Sequence, residues 1–426
     1  MVAVSAVRSV SVPGDKSLSH RALMFAALAT GDSVLRGVLP SADVISTAGV
    51  LATLGVALPA RWTADDTLRI TGLGRRGLKS PRASLDCGNS GTTTRLMAGI
   101  VAGHPFSATF VGDASLSRRP MRRIARPLTQ MGASFSFASD DGLPMTVQGG
   151  ELDDIQWVSP TASAQVKSAI LLAALVSGHS ARVQEPTRSR DHTERMLAAL
   201  GAPIVVTDDA VLLDPVDHLA PLHFDVPGDP SSALFLIAWA VLRGEPLEIT
   251  NVGVNATRIG AFAVLGRMGV TLTLLNEHEL GGEPVADVLV APASGLRGVD
   301  IGGDEIPALI DEIPILACLA ARADGETRIT DASELRVKES DRIAAVVANL
   351  RAVGADAEEL PDGLIVRGNT RALRGNVITH GDHRIALSFG VLGSATGGDI
   401  TVDDPSCVDV SFPGFWNTLA SLEGAR

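Results

Sequence analysis

Cations gathered at expected helix starts are the residues of this chain best fitted to do chemistry. Lys16, Ser17 and Arg21 share the segment Pro13-Gly-Asp-Lys-Ser-Leu-Ser-His-Arg21. A helix beginning near Ser17 sets Ser17 and Arg21 one turn apart on one face. A hydroxyl beside a guanidinium suits a carboxylate or a phosphate. The segment lacks the spaced glycines of a nucleotide phosphate loop, which argues against an NTPase. Cys87-Gly-Asn-Ser-Gly-Thr-Thr-Thr-Arg95 turns through glycines into a second helix, so Asn89, Gly91 and Arg95 mark a place where an anion can approach the backbone. Arg118, Arg119, Arg122, Arg123 and Arg126 lie close together. Of these, Arg122, Arg123 and Arg126 read as a solvated helix face. Arg119 differs, because Pro120 suits the first helical position and leaves Arg119 at the helix mouth. A cation there opposes the helix dipole unless an anion joins it. Lys16, Lys338 and Arg384 raise the same question.

Three further segments mix charge signs. Leu335-Arg-Val-Lys-Glu-Ser-Asp-Arg-Ile343 puts Lys338, Glu339 and Arg342 within about one turn, which alone reads as an ion-pair cluster. Gly381-Asp-His-Arg384 alone reads as a cap, with Asp382 accepting helix N–H groups. Asp311-Glu-Ile-Pro314 alone reads as a cap followed by a first-turn proline.

The elements that position these residues repeat. Six small-residue-rich helix patterns open at polar clusters and stop at Gly31, Gly103, Gly178, Gly244, Gly325 and Gly397, spaced 66 to 81 residues apart. A second punctuation, Leu51-Ala-Thr-Leu-Gly55 and its likenesses ending at Gly132, Gly201, Gly269 and Gly354, marks helix ends with a left-handed cap. Runs such as Ala202-Pro-Ile-Val-Val206 follow and read as strands. Each unit therefore carries two helices interleaved with strands. Six helix starts, each with free N–H groups, would form an anion site if the fold brought them together.

The tripeptide Pro-Gly-Asp occurs at 13–15 and again at 227–229. Both copies precede a serine-containing helix start, and they read as two crossings between similar domains, 14–226 and 1–13 plus 227–426. Hydrophobic residues make up 46% and charged residues 20%, which supplies core for two domains and excludes a disordered chain. A net charge of −12 argues against a nucleic-acid surface. No membrane-spanning run or signal peptide is read, and Cys87, Cys318 and Cys407 lack metal spacing. A cytoplasmic chain with free thiols is expected.

Taken together, the segments resemble the 5-enolpyruvylshikimate-3-phosphate synthase family over the whole length and in order. The match rests on Gly14-Asp-Lys-Ser-Leu-Ser-His-Arg21, Gly88-Asn-Ser-Gly-Thr92 with Arg95, Arg119-Pro120, Ser163-Ala-Gln165, Asp311-Glu312, Arg336-Val-Lys-Glu-Ser-Asp-Arg342 and Asp382-His-Arg384. The resemblance implies an α/β (α+β) fold of two similar domains. Each would hold three βαβαββ repeats around a pseudo-threefold axis, with the active site in the interdomain cleft. It implies transfer of the enolpyruvyl group of phosphoenolpyruvate to the 5-hydroxyl of shikimate 3-phosphate, with release of phosphate, on the route to aromatic amino acids. No metal and no organic cofactor are implied, and a monomer is expected. By the same resemblance, Lys16, Ser17, Arg21, Ser163, Gln165, Asp311 and Lys338 take shikimate 3-phosphate. Lys16, Gly91, Arg119, Gln165, Arg342 and Arg384 take phosphoenolpyruvate. Asp311 is the expected base, Glu339 the proton donor and return base, and Lys16 a further catalytic group. Asn89, Arg95 and His383 support them. Inhibition by glyphosate is implied as well.

The chain departs from many members at Ala164, Glu334 and Val410, where a serine, an asparagine and a lysine are common. Ala164 has no hydroxyl to offer the shikimate phosphate, and Arg190 is expected to supply a hydrogen bond in its place. The other reading of Asp191-His-Thr-Glu194 beside it is a capping box. UDP-N-acetylglucosamine enolpyruvyl transferase is the nearest rival, but its reactive loop cysteine is here Ala114. An RNA 3′-phosphate cyclase shares the repeat architecture and would need a basic surface.

Overall fold

The computed structural model describes residues 7–293, 295–397 and 399–424, so the ends of the expected second domain, 1–6 and 425–426, lie outside it. The chain divides into two compact units. One is Gly14–Val226 with Glu279–Glu283. The other is Met1–Pro13, Pro227–His278 and Pro284–Arg426. Grouping Glu279–Glu283 with the first unit departs from the expected boundary. The cause is local: Glu283 is buried against His192, and Gly281 lies on the ring of Phe224. Each unit has its own apolar core.

The first unit carries helices α1 Lys16–Leu28, α2 Ala42–Thr53, α3 Gly91–Ala102, α4 Arg122–Gln130, α5 Ala164–Ser177 and α6 His192–Ala199. The second carries α7 Pro230–Arg243, α8 Gly260–Arg267, α9 Ile313–Ala320, α10 Arg342–Ala352, α11 His383–Thr396 and α12 Phe415–Gly424. Alternate helices are central. α5, α7 and α11 each bury twelve of fourteen residues, as expected of helices apolar all round. α3 packs on α5, and α11 on α7 and α9. The α3–α5 contact is so close that a Cβ on Gly99 would collide with the carbonyl of Ala169.

Each complete repeat has one sheet. In the second repeat, Leu85–Asp86 runs parallel to Ser107–Val111 across the α3 crossover. Ser107–Val111 then pairs antiparallel with Met145–Gln148, which pairs with Ser134–Phe137. The third and fifth repeats follow the same order. In the fourth, the parallel edge strand is Arg8–Ser11, from the start of the chain, paired with Leu247–Gly253. In the first, it is His223–Asp225, paired with Thr30–Arg36. Among the described residues, two repeats fall short of four strands. The first has three, and the last has only Arg374–Val377 and Asp399–Val402.

The twin Pro-Gly-Asp tripeptides do the same local work. Asp15 accepts the N–H of Leu18 at 2.8 Å and caps α1; Asp229 accepts that of Ser231 at 2.8 Å and caps α7. The glycine stops divide into two kinds. Gly178, Gly244 and Gly397 are left-handed caps. Gly31 lies inside a strand, Gly103 caps α3 in the right-handed region, and Gly325 falls beyond the end of α9. Gly55, Gly132, Gly201, Gly269 and Gly354 all take positive φ.

Candidate active site

In the first unit, the N-termini of α1, α3 and α5 carry most of the expected anion ligands. Lys16 is the first residue of α1 and its Nζ lies 3.2 Å from Oδ2 of Asp43. Arg21 is buried one turn on. Its Nη1 donates to the carbonyl of Ser17 (3.0 Å), Nε to Oγ1 of Thr193 (2.8 Å) and Nη2 to Oγ of Ser168 (3.0 Å). Burial pushes the Arg21 guanidinium down to about 10, against the pull of Glu194 and Asp15, so it stays charged at neutral pH. Arg190 lies near enough to press the same way as burial.

A buried hydroxyl chain ties α1 to α3. His20 Nδ1 meets Thr47 Oγ1 at 2.7 Å, Thr47 meets Thr93 at 2.6 Å, and Thr93 donates to Oγ of Ser90 at 2.8 Å. Burial holds His20 well below its usual range, with Lys16 and Arg21 adding to the effect. Ser90 caps α3, and Gly91 opens it. A Cβ built on Gly91 would lie 3.1 Å from Nη1 of Arg95 and 3.3 Å from Nη1 of Arg119. Each guanidinium is fixed elsewhere. Arg95 donates to Oε1 of Gln165 (2.6 Å) and to the carbonyl of Pro120 (3.2 Å). Arg119 donates to Oδ1 of Asn89 at 2.6 Å. Ser163 caps α5, and Gln165 donates back to Oγ1 of Thr92 at 3.0 Å. The structure thus brings Asn89, Gly91, Arg95, Arg119 and Gln165 into one cluster.

In the second unit, one guanidinium organises the carboxylates. Arg342 is the first residue of α10 and is buried. Its Nη1 donates to Asp311 (3.1 Å), Nη2 to Glu339 (2.6 Å) and Nε to Asp382 (2.8 Å). Burial works to lower its proton affinity, but Asp382, Glu339 and Asp311 prevail and raise it well above the ordinary range. Lys338 Nζ lies 3.3 Å from the same oxygen of Asp311. Arg384 donates to the carbonyl of Asp311 at 2.8 Å and approaches the buried Glu312 at 3.5 Å. Asp382 caps α11 through the N–H of Arg384 (3.0 Å), with His383 buried beside it. Asp311 and Glu339 are therefore two carboxylates held by one cation, side chains of a type that can carry protons.

Several expectations give way. Pro120 does not start α4. That helix begins at Arg122, and the N–H groups of Met121 and Arg122 both go to Asp141 (2.6 and 2.7 Å), leaving Arg119 in the extended residue after a short 3₁₀ turn. Lys338 likewise ends a 3₁₀ turn, and the extended break before α10 separates it and Glu339 from Arg342. Arg336 is structural, bonded to Asp341 and to the carbonyls of Leu360 and Pro361. The α7 start receives a carboxylate from the chain itself: Ser231 Oγ donates to Glu312, and Arg258 closes on Ser231 and Asp229. The capping-box reading fails at α6, where Asp191 makes no side-chain cap bond and accepts Arg195 instead (2.9 Å). Arg123, read as solvated, reaches Oγ of Ser163 at 3.2 Å. Sequence reasoning also passed over Lys167, which is buried between Glu185 and Glu194 at 2.8 Å from each. The one signal of it was a lysine inside the apolar run Val166–Val176.

Among the described residues, no group of His, Cys, Asp and Glu could hold a metal, and no helix is long and apolar enough to cross a membrane. A two-domain fold of repeated βαβαββ units, with cations and carboxylates at its helix starts, defines the enolpyruvyl transferase class. The enolpyruvyl transferase NikO from Streptomyces tendae shares that fold at a TM-score of 0.75 and 19% identity, covering 98% of this chain and 95% of that one. The family pattern of EPSP synthase (3-phosphoshikimate 1-carboxyvinyltransferase) matches residues 4–419, and the chain belongs to that family. Relatives named 3-phosphoshikimate 1-carboxyvinyltransferase include that of Herpetosiphon aurantiacus, 47% identical over 98% of this chain and 97% of its own. That of Pelotomaculum thermopropionicum is 49% identical over 97% and 96%. The solved EPSP synthase of Acinetobacter baumannii superposes with a TM-score of 0.85 at 40% identity, covering 97% of this chain and 95% of that one. The chain is a transferase of the shikimate pathway, moving the enolpyruvyl group of phosphoenolpyruvate to shikimate 3-phosphate.

Proposed function

We propose that Asp311 removes the proton of the 5-hydroxyl of shikimate 3-phosphate and that Glu339 protonates the methylene carbon of phosphoenolpyruvate. The hydroxyl oxygen bonds to the enol carbon as the methylene becomes a methyl, which gives a tetrahedral adduct. Glu339 then takes a methyl proton back, the carbon–oxygen bond to phosphate breaks, and the enolpyruvyl ether is left. The observation that supports giving the proton transfers to this pair of carboxylates is the single guanidinium of Arg342 binding both. Lys338, on the same oxygen of Asp311, steadies the alkoxide side.

The substrates bring two phosphates and two carboxylates, whose repulsion must be offset. Lys16, Ser17, Arg21, Ser163, Gln165, Arg190 and Lys338 take shikimate 3-phosphate. Lys16, Gly91, Arg119, Gln165, Arg342 and Arg384 take phosphoenolpyruvate. Asn89 and Arg95 support them by fixing Arg119 and Gln165, and His383 supports Asp382 and Arg384. One pair of substrates thus draws on ligands from both units. We further propose that the enzyme acts as a monomer in the cytoplasm.

The proton roles are tested in heavy water. Turnover should place deuterium in the product's vinyl methylene, because the intermediate methyl carries one solvent proton. Glu339→Gln should lower kcat by roughly 10²–10⁴-fold, the span for a lost acid–base group. A Glu339→Gln enzyme that turns over and exchanges normally would remove Glu339 from the chemistry.

A further inference from the structure

Glu185 lies outside every ligand set above, yet both oxygens of its carboxylate are occupied by hydrogen bonds from other residues. Its Oε1 accepts the backbone N–H of Ser163 (2.9 Å) and the hydroxyl of Ser189 (2.7 Å). Its Oε2 accepts Nζ of Lys167 (2.8 Å), the hydroxyl of Ser189 (2.8 Å) and the N–H of Ser189 (3.3 Å). Lys167 Nζ also donates to the carbonyl of Ser189 at 3.4 Å. That carbonyl belongs to the peptide plane leading into Arg190. The ion pair therefore grips Ser189 from both sides and fixes the direction in which the chain enters Arg190. Through Ser163 it fixes the start of α5 in the same stroke.

An ordinary packing role explains this poorly. The Lys167 side chain is 3% exposed, on a helix whose nearby positions include Val166, Ser168, Ile170 and Leu171. An apolar side chain would fit there without desolvating a charge, and buried pairs of this kind are often matched or bettered by apolar groups of similar volume. What an apolar group cannot do is orient a peptide plane. Glu194, the second carboxylate on Lys167, is also the strongest attraction acting on the buried Arg21. The network thus reaches Arg21, Ser163 and Arg190, three of the groups given above to shikimate 3-phosphate.

We propose that Lys167 and Glu185 are positioning residues for the phosphate of shikimate 3-phosphate, acting through the Ser189–Arg190 peptide and the α5 start. The proposal rests on the ligand roles of Ser163 and Arg190 given above. It predicts an effect felt chiefly by shikimate 3-phosphate, because Arg21, Ser163 and Arg190 are given to that substrate alone and only Gln165 of the α5 start to both.

The test is steady-state kinetics on the full-length enzyme, with Glu185→Gln, Arg190→Ala and the double variant. Glu185→Gln keeps the shape and alters the bonding. It should raise KM for shikimate 3-phosphate about tenfold, the cost of a displaced charge-assisted contact, while kcat and KM for phosphoenolpyruvate change less than about twofold. In the Arg190→Ala background the same change should add little. Should Glu185→Gln not fold, the triple variant Lys167→Met, Glu185→Gln, Glu194→Gln removes the buried charges at nearly constant volume. It should melt no lower than the parent yet show the same weakening toward shikimate 3-phosphate. A variant with lowered Tm but unchanged KM would overturn the proposal, as would full additivity with Arg190→Ala. If Arg190→Ala alone leaves that KM unchanged, the ligand role of Arg190 fails, and with it the route through the Ser189–Arg190 peptide; an unchanged KM in Glu185→Gln as well removes the α5 route and the positioning role. If Arg190→Ala raises it and Glu185→Gln does not, only the positioning role fails.

Discussion

Replacing Gly91 by alanine tests the proposed phosphoenolpyruvate ligands where two guanidinium groups crowd one position. The methyl would stand 3.1 Å from Nη1 of Arg95 and 3.3 Å from Nη1 of Arg119. An ordinary contact needs about 3.5 Å, so the neighbours must yield by about 0.4 and 0.2 Å. Neither is free to swing away. Arg95 is tied to Gln165 at 2.6 Å and Arg119 to Asn89 at 2.6 Å. The methyl therefore acts twice: it narrows the pocket, and it pushes two cations out of line with the ligand's anionic groups. Removing one charge-assisted hydrogen bond costs about 1.5–3 kcal/mol, or roughly 10- to 150-fold in affinity. Glyphosate is longer than phosphoenolpyruvate and should suffer the larger share of this. The inhibition constant for glyphosate should rise by roughly that factor, and KM for phosphoenolpyruvate by less than about tenfold. KM for shikimate 3-phosphate, touched only through Gln165, should change least. The assay is steady-state inhibition of both enzymes at fixed shikimate 3-phosphate. Equal glyphosate constants for the two forms would show that Gly91 does not line the inhibitor's pocket.

Three further outcomes are expected. Asp311→Ala should lower kcat by roughly 10²–10⁴-fold with a far smaller change in KM for shikimate 3-phosphate; retained turnover would exclude Asp311 as base. Cys87, Cys318 and Cys407 are buried, and burial pushes the thiols of Cys87 and Cys407 up to about 12 and that of Cys318 higher still. Iodoacetamide should therefore leave the folded enzyme active at neutral pH, and stoichiometric inactivation would revive a cysteine-dependent mechanism. His20 and His104 are both depressed by burial. The unfolded chain binds more protons than the folded one once the pH drops below their ordinary value of 6.5, so stability is full above that value and declines below it. Melting temperature should fall between pH 7 and pH 5, and His20→Gln with His104→Gln should flatten the slope; an unaltered slope would place the linkage elsewhere.

What was legible in the sequence, and what was not, follows from the range of the forces involved. Helix starts at Lys16, Gly91, Ala164 and His383 could be read because caps are local: Asp15, Ser90, Ser163 and Asp382 sit one residue ahead of their helices. The left-handed glycines from Gly55 to Gly354 were legible for the same reason. Pro120 misled because the capping group for that helix, Asp141, comes from a distant turn that a local pattern does not contain. Arg342 was visible as a residue, but its bond to Asp382, forty positions away, was not. Lys167 was hidden in an apolar helix, and its partners Glu185 and Glu194 arrive from another strand–loop–helix passage. The same distance concealed the grip of Arg123 on Ser163. Reading helix starts found the cations and hydroxyls that stand there; the carboxylates that hold them come from tertiary structure.

One measurement bears most directly on the function: phosphate release by the purified enzyme with each substrate alone and with both together. Phosphate should appear only when phosphoenolpyruvate and shikimate 3-phosphate are both present, with one enolpyruvyl ether formed for each phosphate released. Release with UDP-N-acetylglucosamine in place of shikimate 3-phosphate, or no release with the proper pair, would contradict the assignment.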